Sequence, residues 1–235
     1  MSIKRYGDIN QFCKAVSESE LNELRFMGRT DYGLFEFESN RGTFSLPANK
    51  TSCDLCLNGM VDESGRSAFR DKVIWIDGDA QLRCVNYKGM FSHLTVQIAG
   101  GGIKFDTADV DTSFMFNEAD FKSDYPIRIV RGRLRAEGMF HGCRGKTKLS
   151  FNSVSFHDVT RMITDSSIRE LTFRWCKLAC SKHEFEMNTK SCMYKNGQLE
   201  TINFEGCSDE FVRTMIEHIN KHGEDDDDIV INIKD

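Results

Sequence analysis

The feature that most constrains the fold of this chain is a short internal repeat. Residues 168–176 (IRELTFRWC) and 199–207 (LETINFEGC) align without gaps, and two aliphatic residues, a phenylalanine and a cysteine keep the same spacing in both. The second aliphatic residue and the phenylalanine alternate as on a short strand, so they point to one side. Such a unit leaves that side unburied until a neighbouring copy covers it. The pattern therefore predicts an array of stacked repeats.

Weaker copies of the strand pattern lie upstream of these two. The first core residues of the predicted strands are Ile74, Leu94, Ile127, Leu149, Leu171 and Ile202. Their successive spacings of 20, 33, 22, 22 and 31 residues suit a strand followed by a returning helix or loop. A weaker strand is predicted at 24–26 and a final one at 229–233. The sequence thus predicts an α/β fold, an irregular leucine-rich-repeat-like solenoid with a mainly parallel sheet.

Two segments between the predicted strands have helical periodicity. One follows Ser155, and its apolar residues are Phe156, Val159, Met162 and Ile163. The other follows Ser208, and its apolar residues are Phe211, Val212, Met215, Ile216 and Ile219. Ser208 is a suitable amino-terminal cap for this second helix, and Gly223 is well placed to end it. Residues 94–142 instead have the pattern of strands and glycine-rich turns.

Composition indicates a globular chain of one continuous array. With 40% hydrophobic and 11% aromatic residues, 235 residues can bury a sizeable core. Pro47 and Pro126 are the two prolines, so no proline-rich linker marks a boundary. We therefore predict a leucine-rich-repeat-like array over 71–235, preceded at 1–70 by an amino-terminal cap or the first irregular repeats.

The predicted compartment is the cytoplasm or nucleus. The amino terminus lacks the apolar stretch of a signal peptide, and no window approaches the ~18 apolar residues of a membrane helix. We therefore expect no membrane partner. Nine cysteines, an odd number scattered along the chain, indicate free thiols in a reducing compartment.

The formal charge of −5 argues against nucleic-acid binding, which needs an excess of lysine and arginine. One local basic set is Arg128, Arg131, Arg133, Arg135, Arg144, Lys146 and Lys148. We interpret it as a solvated surface, with a phosphate-binding stripe as the alternative. The acidic run at 224–228 is interpreted as a solvated loop rather than a calcium site, because the spacing of a calcium loop is missing.

The strand pattern ending in cysteine resembles the cysteine-containing class of leucine-rich repeats. Its irregular, phenylalanine-rich form is most similar to the repeat halves of F-box proteins, especially the nematode-type F-box-associated families. The resemblance covers 146–235 and, more loosely, 73–135. It implies a substrate-recognition module of a ubiquitin ligase. The first fifty residues lack the Leu-Pro start and amphipathic helices of an F-box.

Several cysteine and histidine groups have spacings that merit a metal-site hypothesis. Cys53 and Cys56 have zinc-knuckle spacing, with Cys84 and His93 as nearby completions; a structural zinc, a redox pair and unpaired thiols stay open. A second group is Cys176, Cys180, His183 and Cys192. His218 and His222 share one helical face, and we predict that they are exposed near the helix end. No metal site or cofactor is predicted overall.

Glycines 100–102 follow a predicted strand. They lack the Lys-Ser/Thr ending of a P-loop, and the next residues read as a strand, so the sequence predicts a hairpin turn.

The predicted function is a non-catalytic protein-protein interaction module, either a ubiquitin-ligase substrate receptor or an adaptor. Its protein partner is expected to bind the outward positions of the repeat strands, which are Ser150, Asn152, Thr172, Arg174, Asn203 and Glu205. The alternatives are an enzyme of unknown class, since a catalytic Cys/His pair need not be close in sequence, and a zinc-stabilised adaptor.

Overall fold

The structure is a computed structural model. It describes residues 3–5, 11, 14–16, 23–29, 34–39, 42–47, 64, 68–77, 81–82, 87–99, 102–105, 109–122, 126–145, 148–222 and 229–235. The described part is a β-solenoid of about four turns, with mostly parallel sheets and few helices. The predicted solenoid with a mainly parallel sheet is thereby confirmed.

Three sheets form the faces of the solenoid. Sheet I has seven strands in the order β1-β4-β3-β2-β5-β7-β10. Their bounds are β1 Ile3–Arg5, β2 Glu23–Arg29, β3 Leu34–Ser39, β4 Gly42–Pro47, β5 Val73–Asp77, β7 Thr95–Ala99 and β10 Asp120–Phe121. Strands β2 and β3, and β3 and β4, pair antiparallel, whereas β2, β5, β7 and β10 are parallel to one another.

Sheets II and III carry most of the repeats. Sheet II has the order β18-β17-β15-β13-β11-β8-β6, and sheet III has the order β16-β14-β12-β9. In sheet II the bounds are β6 Gln81–Leu82, β8 Ile103–Phe105, β11 Ile127–Val130, β13 Lys148–Asn152, β15 Glu170–Arg174, β17 Thr201–Glu205 and β18 Val230–Lys234. In sheet III they are β9 Val110–Asp111, β12 Arg133–Arg135, β14 Ser155–Asp158 and β16 Lys177–Leu178.

The predicted repeat register is confirmed in sheet II. Ile127, Leu149, Leu171, Ile202 and Ile231 are paired in consecutive parallel strands. The strands predicted at Ile74 and Leu94 lie elsewhere, because β5 and β7 belong to sheet I, as does β2, which contains the weaker strand predicted at 24–26. Each early turn thus has one strand in sheet I and a second in sheet II.

A stack of turns closes the solenoid between sheets III and I. Its segments are 87–93, 112–119, 136–142, 159–165 and 193–196. Each segment contacts the next through backbone hydrogen bonds, such as Phe116 N–H to Met139 O and Phe140 N–H to Met162 O, both 2.8 Å. The segments share a buried Met followed by a large apolar residue, at 90–91, 115–116, 139–140, 162–163 and 193–194.

Two ladders of phenylalanine rings fill the core. In one, Phe173 stacks on Phe151 and on Phe204, with ring centroids 5.8 and 5.5 Å apart. In the other, Phe116 stacks on Phe91 and Phe140 at 5.5 and 5.2 Å. Because a parallel solenoid repeats side chains at the strand spacing of about 4.8 Å, identical rings at equivalent positions stack in an offset manner.

Two helices replace the turns at the carboxyl-terminal end. Helix α1 is Lys182–Asn188, and α2 is Asp209–His222. The prediction of α2 is confirmed, and Ser208 caps it by accepting the Phe211 N–H at 3.4 Å. Gly223 lies outside the described residues.

The predicted helix after Ser155 is wrong. Residues 155–158 form β14, and 159–165 form a turn segment in which Arg161 and Asp165 have φ of 51° and 55°. These two left-handed residues, four positions apart, bend the chain back on itself. The apolar residues of the segment are therefore buried at the same spacings as on one face of a helix. The period alone cannot separate the two conformations.

The predicted hairpin at the glycine run is also wrong. The strands on either side, β7 and β8, lie in different sheets, so the chain turns a corner of the solenoid there. Gly102 has φ of 108°, and a Cβ atom on it would lie 2.8 Å from the Arg128 carbonyl oxygen. Glycine is required at this corner because of both its backbone conformation and this close approach.

Strands from both predicted ranges, 1–70 and 71–235, share sheet I, since β2 pairs with β5. In the part of the chain that the structure describes, no helix is both long and apolar enough to cross a membrane.

Candidate functional site: the outer face of sheet II

The six predicted binding residues lie in two adjacent rows on the outer face of sheet II. Along the first row the paired residues are Arg128, Ser150, Thr172, Asn203 and Asn232. Along the second row they are Val130, Asn152, Arg174, Glu205 and Lys234. We call these the first row and the second row. The structure therefore brings all six predicted residues together on one surface.

Side chains of the first row are linked by hydrogen bonds along the solenoid axis. The Asn232 Nδ2 donates to Asn203 Oδ1 at 2.9 Å, and Asn203 Nδ2 donates to Thr172 Oγ1 at 3.3 Å. Equivalent positions in parallel strands are close enough for short amides and hydroxyls to reach one another. This ladder fixes the orientation of the two asparagine side chains on the surface.

The second row contains an ion pair. Arg174 Nε lies 2.5 Å from Glu205 Oε2, and both side chains are about one-third exposed. The hydrogen bond from Arg174 lowers the pKa of the Glu205 carboxyl group, and the same bond raises the pKa of Arg174. A second pair, Lys148 Nζ to Glu170 Oε2 at 2.6 Å, flanks the first row. The positive charges of Lys148 and Arg174 are therefore compensated within this face, whereas Arg128 and Lys234 form no ion pair among the described residues.

Ser150 and Thr172 are less accessible than their outward position suggests. Each is 6% exposed, because longer side chains of the same face surround them. Of the six predicted residues, Ser150 and Thr172 are thus buried, and Asn152, Arg174, Asn203 and Glu205 are partly exposed.

The Ser150 hydroxyl is buried and has no hydrogen-bond partner among the described residues. Replacing Ser150 with alanine is expected to leave the unfolding free energy unchanged or to raise it by about 1 kcal/mol, since no bond is lost. Thr172→Val is the contrasting variant, because it removes the acceptor of Asn203 and is expected to cost about 1 kcal/mol. Urea denaturation measures both. A loss above about 1 kcal/mol in Ser150→Ala would contradict this account of the face.

Trp175 stands at the corner where sheet II ends and sheet III begins. Its side chain is 65% exposed, and its backbone is left-handed with φ of 51°. Arg131, Ser153 and Gly206 occupy the same corner in neighbouring turns, also with positive φ. A Cβ atom on Gly206 would lie 2.7 Å from Trp175 Cδ1, so the indole packs directly over this glycine.

Sequence reasoning missed Trp175 because the repeat pattern treats its position as variable. A tryptophan at a position that the core does not need is itself a signal, since this residue is enriched in the energetic centres of protein interfaces.

The repeat cysteines have a structural role. Cys176 is buried, and its thiol donates to Phe151 O at 3.3 Å; the Cys207 thiol donates to Phe173 O at the same distance. Each cysteine thus satisfies a carbonyl of the preceding strand. Hydrogen-bonding interaction with Cys176, which includes the bond from its amide to Cys207 Sγ at 3.4 Å, lowers the pKa of Cys207, and burial raises the pKa of Cys176.

The described residues contain no group of three His, Cys, Asp or Glu side chains arranged to hold a metal. This applies to the group around Cys176 and Cys192. Cys53, Cys56 and Cys84 lie outside the described residues, so the alternatives of a structural zinc, a redox pair and unpaired thiols stay open.

Cys180, His157 and Asp109 lie near one another at sheet III. His157 Nε2 lies 2.8 Å from Asp109 Oδ1, but the Cys180 thiol contacts the backbone oxygen of His157 rather than its ring, at 3.9 Å. Burial, with Glu184 and Asp158 nearby, raises the pKa of Cys180. A nucleophilic cysteine needs a lowered pKa and a ring nitrogen within reach, so this grouping does not fit that chemistry.

The prediction that His218 is exposed is wrong. It is 9% exposed, on the buried side of α2, and its ring centroid lies 4.8 Å from that of His222. Burial, together with the charges of His222 and Lys221, lowers the pKa of His218 to about 4. Between this value and the ordinary 6.5, the unfolded chain binds a proton that the folded chain does not, so His218 destabilises the fold as pH falls.

The pH dependence of stability that Asp158 contributes is opposite in sign to that of His218. Burial, with a contribution from Glu137, raises the pKa of Asp158 to about 6, from an ordinary value of 3.8. Between those values the folded chain binds a proton that the unfolded chain does not. Its contribution to stability therefore rises as pH falls through this window.

Removing either group should change the slope of stability against pH. Relative to the unaltered protein, Asp158→Asn is expected to lose stability more steeply from pH 6.5 to 4. His218→Gln is expected to lose stability less steeply. Over the same pH range its loss should be smaller than that of the unaltered protein by up to about 3 kcal/mol. Denaturant titrations at several pH values measure the slopes. Parallel curves for all three proteins would contradict these assignments.

The basic residues predicted as a solvated surface do not form one stripe. Arg128 and Lys148 lie on the outer face of sheet II, Arg133 and Arg135 lie on sheet III, and Arg131 lies at the corner between them. Lys146 is outside the described residues.

Comparisons with known proteins identify no family. A scan against protein-family models found no match, and searches of curated proteins and of solved structures found none either. The resemblance to leucine-rich repeats and F-box-associated proteins therefore stays a prediction.

Proposed function

We propose that this chain is a non-catalytic interaction module that binds a protein partner on the outer face of sheet II, with Trp175 as its anchor. The carrying observation is the exposure of Trp175. Its side chain is 65% exposed at a corner that Arg131, Ser153 and Gly206 occupy in the neighbouring turns, all with the same left-handed backbone. The corner conformation therefore does not require tryptophan, and burial in the core does not account for the indole. Tryptophan is enriched in the energetic centres of protein interfaces.

The rest of the face has the properties of an interface. Its parallel strands give a regular surface, and four of its charged side chains form two ion pairs, Lys148 with Glu170 and Arg174 with Glu205, which lowers the entropy lost on binding. The first-row asparagines keep unused amide donors and acceptors beyond their ladder bonds. An aromatic anchor next to oriented polar groups is a common composition for a binding surface.

The finer proposal, a leucine-rich-repeat relative, is supported by the cysteine positions and by the helices after β16 and β17. A thiol that satisfies the preceding strand's carbonyl fits the role of the Asn or Cys position in the leucine-rich consensus. A role as a ubiquitin-ligase receptor rests on the resemblance alone and stays a prediction.

The test reverses one ion pair without breaking it. The double variant Arg174→Glu, Glu205→Arg keeps both charges in contact, so the unfolding free energy should stay within about 0.5 kcal/mol. Affinity capture of the partner from the protein's own cells should fall at least about tenfold, because charges facing the partner are exchanged.

The matched control is the same exchange at Lys182 and Glu217, an ion pair that joins α1 to α2. Capture should be unchanged in this control. Capture that survives the exchange at Arg174 and Glu205 would place the binding surface elsewhere.

A further inference from the structure

A notch of about 540 Å³ lies on the sheet III side of the corner, lined by Gly132, Arg133, Ser153, Ser155, Lys177, Leu178 and Ala179. Its floor includes Ser153 and Ser155. The preceding turn has Arg131 and Arg133 at the equivalent positions, and the following turn has Trp175 and Lys177. Two serines between turns that carry long side chains leave a gap, which is the physical origin of the notch.

Positive charge is concentrated on the walls of the notch. Arg133 and Lys177 line it and are exposed, and the exposed Arg131 lies at the neighbouring corner position, on a chain whose formal charge is −5. Within the described ranges, neither Arg131 nor Lys177 forms an ion pair. Arg133 donates one bond to Ala179 O at 2.7 Å, and its Nε lies 3.6 Å from Asp109 Oδ1. A guanidinium has five N–H donors, so Arg133 retains donors for a ligand.

We infer that this notch binds a carboxylate side chain of an acidic, extended segment of the partner. The carboxylate lies over Ser155, between Arg133 and Lys177, and an apolar neighbour in the segment packs on the indole of Trp175. The inference rests on the proposed function, because the segment belongs to the protein held on the outer face of sheet II.

The spacing of the turns supports one shared anion. Successive turns are about 4.8 Å apart, so the backbones of Arg133 and Lys177 are separated by about 10 Å. Both side chains are long enough to converge from either side, and the Ser155 hydroxyl lies between them. Asp109 already offsets part of the charge of Arg133, which favours a singly charged carboxylate over a doubly charged phosphate.

The probe is a fluorescein-labelled peptide, Gly-Leu-Pro-Glu-Leu-Pro-Gly, measured by fluorescence anisotropy. Its counterparts carry Gln, Lys or phosphoserine in place of Glu. The Glu peptide should bind at least about tenfold more tightly than the Gln and Lys peptides, as one desolvated charge pair predicts.

The main variant is Lys177→Glu, because Lys177 makes no ion pair in the described structure and its replacement should leave the thermal unfolding unchanged. Affinity for the Glu peptide should fall at least about tenfold. Lys190→Glu, the same charge change at an exposed site away from the notch, should keep affinity within about twofold. Trp175→Gly should lower the affinities for the Glu and Gln peptides by the same factor.

Four outcomes overturn the assignment: no binding of any peptide, equal binding of the Glu and Gln peptides, full binding to Lys177→Glu, or phosphoserine binding more than about tenfold tighter than Glu. If the Glu peptide does not bind as expected but partner capture still falls in the double variant Arg174→Glu, Glu205→Arg, only the notch assignment is wrong. If the Glu peptide binds as expected but partner capture is unchanged in that double variant, only the proposed function is wrong.

Discussion

Replacing Phe173 with alanine is expected to lower the unfolding free energy by about 3–5 kcal/mol. The ring of Phe173 is fully buried, stacks on Phe151 and Phe204, and meets Phe156 and Phe211 edge-on at 5.6 and 5.3 Å. Its loss leaves a cavity shared by three turns, which the neighbouring rings cannot fill without leaving their stacked positions. Chemical denaturation followed by circular dichroism measures the change.

Phe173→Leu is the matched control. It keeps most of the apolar volume and removes the ring stacking, so a loss of about 1–2 kcal/mol is expected. Equal losses for the two variants would show that stacking, rather than volume, dominates. A loss below about 1 kcal/mol in Phe173→Ala would contradict the continuous phenylalanine ladder.

Replacing Trp175 with glycine is expected to separate binding from stability. Affinity for the partner should fall by at least about 2 kcal/mol, or roughly thirtyfold, as for an aromatic anchor at an interface. The unfolding free energy should change by less than about 1 kcal/mol, because relief of the left-handed strain offsets the loss of indole packing and the entropy cost of glycine. Binding and denaturation of the same preparation measure both.

Gly206→Ala tests the orientation of the indole while retaining it. The added methyl group would lie 2.7 Å from Trp175 Cδ1, so the ring must move. Affinity should fall although the tryptophan is present. Unchanged affinity in Gly206→Ala together with a large loss in Trp175→Gly would mean that the position of the ring over Gly206 is unimportant.

The repeat strands were predictable because their signal is local and strong. Leu171 with Phe173, and Ile202 with Phe204, alternate in the same register in two copies, and parallel stacking demands that register. The assignment of Ile74 and Leu94 to the same sheet failed for a geometric reason. One turn of the solenoid contains a strand in each of several sheets, and all of these strands alternate inward and outward residues in the same way. The alternation therefore does not show to which sheet a strand belongs.

The turn stack could have been found from the sequence by a different repeat. A methionine followed by a large apolar residue recurs at spacings close to those of the strands, at 90–91, 115–116, 139–140, 162–163 and 193–194. The helical interpretation of 155–165 failed because left-handed residues other than glycine, such as Arg161, leave no compositional trace.

The candidate site was predictable in position but not in detail. Outward positions such as Arg174 and Asn203 follow directly from strand alternation. The burial of Ser150 and of His218 depends on neighbours from other turns and elements. Trp175 was overlooked because the repeat pattern treats its position as variable and does not encode the exposure of its side chain at the corner.

The most direct test of the proposed function is site-specific photo-crosslinking in the protein's own cells. A benzophenone amino acid replaces Asn203 on the outer face of sheet II and, as a matched control, Asn220 on the exposed side of α2. We predict a discrete crosslinked partner from position 203 that is lost in Trp175→Gly, and none from position 220. Crosslinks from position 220 alone, or a partner at 203 that persists in Trp175→Gly, would contradict a binding face on sheet II anchored by this tryptophan.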